Sequence, residues 1–287
     1  MKEKFEKYIN KIFKGIRETQ EVKDIKAELV SDLLSQSEDI KKIINDEEEN
    51  YKHCIKSLGD LSELVKEYKK ENNKLEKKIE LPKYKLSEEL INSISHGIGS
   101  ILSIVAFILC IIKANSGLAI FSIFFYCISS FILYLMSCLY HALKRNNAKR
   151  IFRIIDHCSI YLLIAGTYTP VVLLTLKPIL GWTIFSIVWI MAIIGIVLNA
   201  IDLKKFKVIS MILYLVMGWC IIFRINVVYE RLGLIGFLLL LLGGVAYTIG
   251  AILYGVGKKR KWMHSIFHIA CIIGTVLQAL CILLYAM

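Results

Sequence analysis

The run ILGWTIFSIVWIMAIIGIVLNAI, residues 179–201, contains no charged side chain. At the rise of an α-helix its length is about 35 Å, enough to cross the ~30 Å hydrocarbon core of a bilayer. Six further stretches of the same character lie at residues 93–113, 118–141, 154–176, 207–224, 232–254 and 262–286, with short connections between them. Backbone N–H and C=O groups find no water in lipid, so each stretch reads as a helix that satisfies its own hydrogen bonds. The expectation is an all-α fold, a seven-transmembrane helix bundle whose solvent is the lipid bilayer of the cell membrane. Composition agrees: 56% of the 287 residues are hydrophobic and the mean hydropathy is +0.58, too apolar for an ordinary soluble domain.

Charge sets the orientation. The formal charge is +12, but residues 1–90 hold 20 Lys/Arg against 21 Asp/Glu, while residues 91–287 hold 16 against only Asp156, Asp202 and Glu230. The basic excess therefore belongs to the short loops between spans, where it reports topology and anionic lipid, and nucleic acid is not an expected partner. Alternate loops carry five, three and four Lys/Arg, and the other three carry one, one and two. The positive-inside rule then puts the amino terminus in the cytoplasm and the carboxyl terminus outside. The chain opens Met-Lys-Glu-Lys-Phe with no hydrophobic leader, so no signal peptide is expected. Eight cysteines, several within apolar runs and none in a paired motif, argue against a disulfide framework.

Residues 1–80 read as a small soluble helical module. Apolar residues recur at helical spacing in Phe5, Ile9, Ile12 and Ile16, in Ile25, Leu29 and Leu33, and in Leu61, Leu64 and Tyr68, which suggests three short helices. Gly59 suits a left-handed C-cap, and Asp60 with Glu63 a capping box. The charged run from Glu67 to Lys78 leads to a linker, residues 81–90, marked by Pro82. Through Glu18-Thr19, Glu28-Leu29, Ser31-Asp32-Leu33 and Ser57-Leu58-Gly59-Asp60, this part resembles the permease prefix region found ahead of bacterial membrane domains.

Ionisable side chains in spanning helices are costly and by default mark a site. By the topology above, His96, His141, Asp156, His157, His264 and His268 all fall near the cytoplasmic ends of their spans. His264 and His268 are four apart, so both imidazoles share one helix face, about one turn apart, a geometry suited to one metal ion. Ser137 stands in the same relation to His141, one turn deeper, and Asp156 offers a carboxylate. Three imidazoles with an open fourth position describe a catalytic zinc site, with Asp156 to orient a water or take its proton. The competing reading of each residue alone is structural: interfacial histidines, a serine bonded to its own helix, an acid at a helix N-terminus. His157 adjoins Asp156 and so points elsewhere. His96 and Glu89 either line the same cytoplasmic mouth or only mark the start of the first span. Gly166, Thr167 and Pro170 read as a packing device.

Taken together, Glu88-Glu89 through Asn92-Ser93-Ile94-Ser95-His96-Gly97-Ile98-Gly99, Ser137-Cys138-Leu139-Tyr140-His141, Asp156-His157 with Ala165-Gly166-Thr167-Tyr168-Thr169-Pro170, and His264 to His268 resemble the hemolysin III family, the bacterial branch of the progestin and adipoQ receptor (PAQR) group. The likeness covers residues 88–287. It implies seven transmembrane helices around a zinc ion near the cytoplasmic side, with His141, His264 and His268 as ligands, Asp156 holding the water and Ser137 beside it. Members of the wider group are described as receptors, related membrane enzymes cleave ceramide-type amides, and the bacterial branch takes its name from red-cell lysis.

Three functions follow as expectations. The first is a zinc-dependent hydrolase of lipid amides or esters entering from the inner leaflet, with Asp156 as base and Ser137 beside it. The second is a pore-forming or cytolytic protein, for which the spans offer no evident polar stripe. The third is a receptor or sensor with structural zinc, passing a signal to residues 1–80 and a cytoplasmic protein partner there.

Overall fold

The computed structural model describes all residues except 17, 79–80, 83 and 257–260, and the side chains of 71–78 and 256. Of the basic residues counted above for orientation, Lys258, Lys259 and Arg260 lie outside the described residues, as do the side chains in the second half of the charged run and residue 83 of the expected linker. Two compact units result, Met1–Glu80 and Leu81–Met287. Both are helical, with no strand among the described residues.

Among the described residues the first unit has four helices: α1 (Lys2–Ile12), α2 (Gln20–Lys41), α3 (Glu47–Ser57) and α4 (Ser62–Lys78). Phe5, Ile9, Phe13, Val22, Leu33 and Cys54 form its core, each at most 1% exposed, and full burial of one such side chain stabilises by about 1.5–3 kcal/mol. Thr19 starts α2 by accepting the Val22 N–H at 3.2 Å. Gly59 takes the expected left-handed φ of +72° and Asp60 accepts the Ser62 N–H at 2.7 Å, while among the described residues Glu63 does not close the expected capping box. The expected count of three helices is corrected by α3, whose inward face combines the buried amide of Asn50 with Tyr51, Cys54, Ile55 and Leu58 against the core. Asn50 donates to the Ser37 carbonyl at 2.9 Å and accepts from the Cys54 thiol at 3.3 Å. The start of the helix is marked by its cap, Asp46, which accepts from the N–H groups of Glu48 and Glu49.

The second unit contains α5 (Leu86–Lys113), α6 (Gly117–Ala142), α7 (Asn147–Thr175), α8 (Pro178–Asp202), α9 (Lys207–Trp219), a 3₁₀ turn (Cys220–Arg224), α10 (Ile225–Val256) and α11 (Met263–Cys281), whose last turn widens to a π-helix over Ile282–Ala286. Helix α5 begins inside the stretch expected as a linker. Among the described residues six helical runs are long and apolar enough to span a membrane. Five correspond one to one with expected spans. The other two expected spans, 207–224 and 232–254, lie in one run, Lys207–Gly255, of 49 residues. That run is tightened by the 3₁₀ turn and interrupted at Gly233, with φ 66° and ψ 177°, a conformation open to glycine alone.

Helix α5 packs against both α6 and α11, α7 against α6 and α8, and α10 against α11. Helix α7 is the most enclosed. It passes through Pro170 unbroken, with the Thr167 and Thr169 hydroxyls bonded back to the Leu163 and Ala165 carbonyls at 2.7 and 2.9 Å. A Cβ on Gly166 would lie 2.6 Å from Ser129 Cβ, so α6 and α7 meet there as closely as backbones allow. On α8 the outward face is a continuous apolar strip in which Ile190, Ile193, Ile194, Val197 and Ile201 are each at least 50% exposed. Such a strip would drive association in water and is at home against lipid chains. This is a multi-pass membrane protein.

Candidate metal centre

The C-terminal end of α6 and the N-terminal end of α11 meet at three imidazoles. His141 is the penultimate residue of α6, and His264 and His268 occupy the first two turns of α11. His264 Nε2 lies 3.3 Å from His141 Nε2 and 2.9 Å from His268 Nε2, and one ligand nitrogen from each ring falls within 4.8 Å of the others. His141 and His268 are at most 2% exposed. Nitrogens bound to one zinc at about 2.0–2.1 Å with tetrahedral angles stand roughly 3.3–3.4 Å apart. The triad thus has the donor type, number and spacing to hold a metal ion.

A second observation bears on the same fit. Ser137, one turn deeper on α6, is fully buried, and its hydroxyl makes no hydrogen bond to its own helix; the group it meets is the Asp156 carboxyl. Serine in a helix ordinarily bonds the carbonyl four residues back, as Ser130 does to Tyr126 at 2.9 Å. Ser137 does not. Asp156, on α7, interacts with Ser137, His141 and Arg153, so the acid faces the same space as the triad.

The nitrogens on the outer side of the rings are also occupied. His141 Nδ1 is 2.7 Å from Glu89 Oε2, and Lys149 donates to Glu89 Oε1 at 2.6 Å and to the Leu143 carbonyl at 3.0 Å. Lys149 is only 2% exposed, and its ammonium lies 5.2 Å from the centre of the Tyr140 ring. His268 Nδ1 is 2.6 Å from His96 Nε2 and 2.9 Å from His96 Nδ1. Just before α5, Tyr84 stacks on His264 with centroids 4.9 Å apart and an interplanar angle of 17°. Burial holds the Tyr84 hydroxyl above the ordinary tyrosine range, so the ring lies there neutral. Glu88 accepts from the backbone N–H of Lys85 at 3.0 Å and of Trp262 at 2.9 Å, tying the start of α5 to the left-handed Trp262 (φ 68°) that precedes α11.

Of the residues singled out from sequence, the structure brings His141, His264 and His268 together, with Ser137 and Asp156 beside them. His96 joins from α5 on the far side of His268, and Glu89 on the far side of His141, so the two residues whose role was open belong to the lining of the site. His157 does not join: its carbonyl accepts from Tyr214 at 2.9 Å and its ring lies 5.9 Å from Tyr254. Sequence reasoning missed Tyr84 and Lys149. Lys149 had been counted only as a loop charge, although Asn146, which caps α7 through the Lys149 N–H at 2.9 Å, marks it as a first-turn helical residue.

A family model described as Haemolysin-III related matches residues 84–279. The chain is 42% identical over 205 residues to Hemolysin-3 of Bacillus cereus, covering 70% of this chain and 93% of that protein. It is 43% identical over 205 residues to the Hemolysin-3 homolog of Bacillus subtilis (strain 168), covering 70% and 96%. The family match begins at Tyr84 and takes in every residue of the cluster described above.

Proposed function

The chain belongs to the hemolysin III family, and from that premise we propose that it is a zinc-dependent hydrolase of lipid amides or esters drawn from the inner leaflet. One observation carries the reading: three imidazole nitrogens converge within 4.8 Å of one another, and on the same helix as His141 a buried serine hydroxyl turns from its own helix toward Asp156.

Bound to the triad, zinc supplies a Lewis acid and lowers the pKa of water. The chain's own groups do the rest. Ser137 Oγ holds the attacking water toward Asp156, and the Asp156 carboxylate takes the proton that the water gives up as it adds to the carbonyl carbon. Asp156 then returns the proton to the leaving nitrogen or oxygen, so that the products are a carboxylic acid and an amine or alcohol. General acid–base help of this kind contributes about 10²–10⁴-fold in rate.

The same reading divides the run Lys207–Gly255 near Gly233 into two spans, giving seven in all. The loop charges support a cytoplasmic amino terminus and an external carboxyl terminus, with the site near the cytoplasmic face and residues 1–80 available to a cytoplasmic protein partner. The name of the Bacillus cereus relative, Hemolysin-3, favours a second reading, membrane lysis. It ranks lower because it leaves the triad unused.

The test is elemental analysis of detergent-purified protein, followed by turnover of lipid amides. One zinc per chain in wild type, lost in both His264→Ala and His268→Ala together with turnover, is the expected result. A well-folded wild type that binds no metal sinks the proposal, and stepwise conductance of bilayers would favour the lytic reading.

A further inference from the structure

Helix α5 contributes no nitrogen to the triad, yet it and the residues leading into it hold the outer side of all three rings. Glu89 meets the Nδ1 of His141, His96 meets the Nδ1 of His268, and Tyr84 covers the face of His264. Glu88, one residue from Glu89, fixes the backbone of Trp262, two residues before His264. A single segment, Tyr84 to His96, thus grips parts of the triad that come from two different helices.

The consequence lies in which ring nitrogen carries the proton. A neutral imidazole offers one lone pair, and it binds a metal through Nε2 only in the tautomer protonated at Nδ1. A carboxylate at 2.7 Å from His141 Nδ1 can only accept, so it selects that tautomer and turns the Nε2 lone pair inward. His96, presenting a ring nitrogen to His268 Nδ1, does the same when it accepts. Lys149, almost wholly buried and 2.6 Å from the other Glu89 oxygen, keeps the carboxylate in its ionised, accept-only form.

We propose that Glu89, supported by Lys149, and His96 are positioning residues that set the metal affinity and ligand geometry of a site to which they give no ligand, with Tyr84 and Glu88 holding α11 in register. The inference rests on the metal part of the function proposed above and not on hydrolysis. Outer partners of metal-bound histidines typically account for 10–100-fold in affinity.

The experiment measures zinc affinity of the full-length chain in detergent by competition with a chromogenic chelator, and the visible absorption of the cobalt(II)-loaded protein. The variants are Glu89→Gln, His96→Phe and the double variant Glu89→Gln/Lys149→Met, which keeps the buried pair uncharged if the single change unfolds. Ile98→Ala, on the exposed side of α5, is the control. Expected are a 10–100-fold weaker zinc affinity and an altered cobalt spectrum in the Glu89 and His96 variants, with the control unchanged. Folded variants with wild-type affinity and spectrum overturn the positioning role while leaving the metal site intact. A folded wild type without measurable zinc affinity overturns this inference together with the function on which it rests.

Discussion

Glu89 and Lys149, 60 residues apart in the chain, form an ion pair of 2.6 Å in which the ammonium is 2% exposed and the carboxylate 15%. The pair is inseparable from His141, because the second carboxylate oxygen is spent on His141 Nδ1. Lys149→Met would leave a largely buried carboxylate with His141 as its remaining partner. A loss of about 3–5 kcal/mol is expected, measured as a fall in the thermal midpoint in detergent, and Glu89→Gln on the same background should recover most of it. Equal stability of the single and wild-type proteins would mean that the pair is hydrated in the membrane.

Asp156 and the triad separate binding from chemistry. Asp156→Asn is expected to retain one zinc per chain while turnover of a lipid amide falls about 10²–10⁴-fold. Loss of metal in this variant would make Asp156 a ligand, and undiminished turnover would remove it from the reaction.

Ser137→Ala removes a buried hydroxyl that makes no bond to its own helix and meets only the Asp156 carboxyl. The change should leave the stability of the fold nearly unaltered, since no helix bond is lost. Under the hydrolase reading the thermal midpoint is unchanged or raised while turnover drops. A marked fall in stability would point to a bond with its own helix instead.

Gly195 faces the ring of Tyr161, and a Cβ there would stand 2.2 Å from ring carbons. Gly195→Ala should therefore cost about 1–3 kcal/mol by overpacking, seen as a lower thermal midpoint. Gly244, with open space around its Cβ position, is the control: Gly244→Ala should be neutral or slightly stabilising.

In the first unit, Asp46 is the cap on which α3 depends. Asp46→Ala removes the acceptor for two N–H groups and should weaken the helix by about 1 kcal/mol. Hydrogen exchange across residues 47–57 of the full-length chain is expected to accelerate, while exchange in α2 stays as it was.

What could be read in the sequence was whatever obeys a local period or a global charge rule. Apolar length found the spans, and i, i+4 spacing paired His264 with His268 and Ser137 with His141. The one-sided placement of histidines gathered these helices at one end. What escaped depends on how helices turn toward one another. Glu89 and His141 are 52 positions apart, and nothing local says which face of α5 looks at α6. Lys149 misled because charge counting treats every lysine near a span end as solvated. Helix α3 escaped because its short apolar stripe, Tyr51, Cys54, Ile55 and Leu58, is set among charged residues and shares its face with the buried amide of Asn50. The boundary between the fifth and sixth expected spans blurs because helix resumes on both sides of a single glycine, Gly233.

The grip of α5 on the histidines bears on how such a centre can be built anew. Copying three imidazoles onto the facing turns of an unrelated bundle would reproduce their spacing but leave their ring orientations and proton positions to chance. The smallest portable unit is larger than its ligands: it includes a carboxylate, its buried lysine and a fourth imidazole, carried on elements that are not neighbours in sequence. On the positioning role proposed above, a designer would have to transplant the junction of α5, α6, α11 and the first turn of α7, because the information that aims the nitrogens would reside in residues no ion would touch.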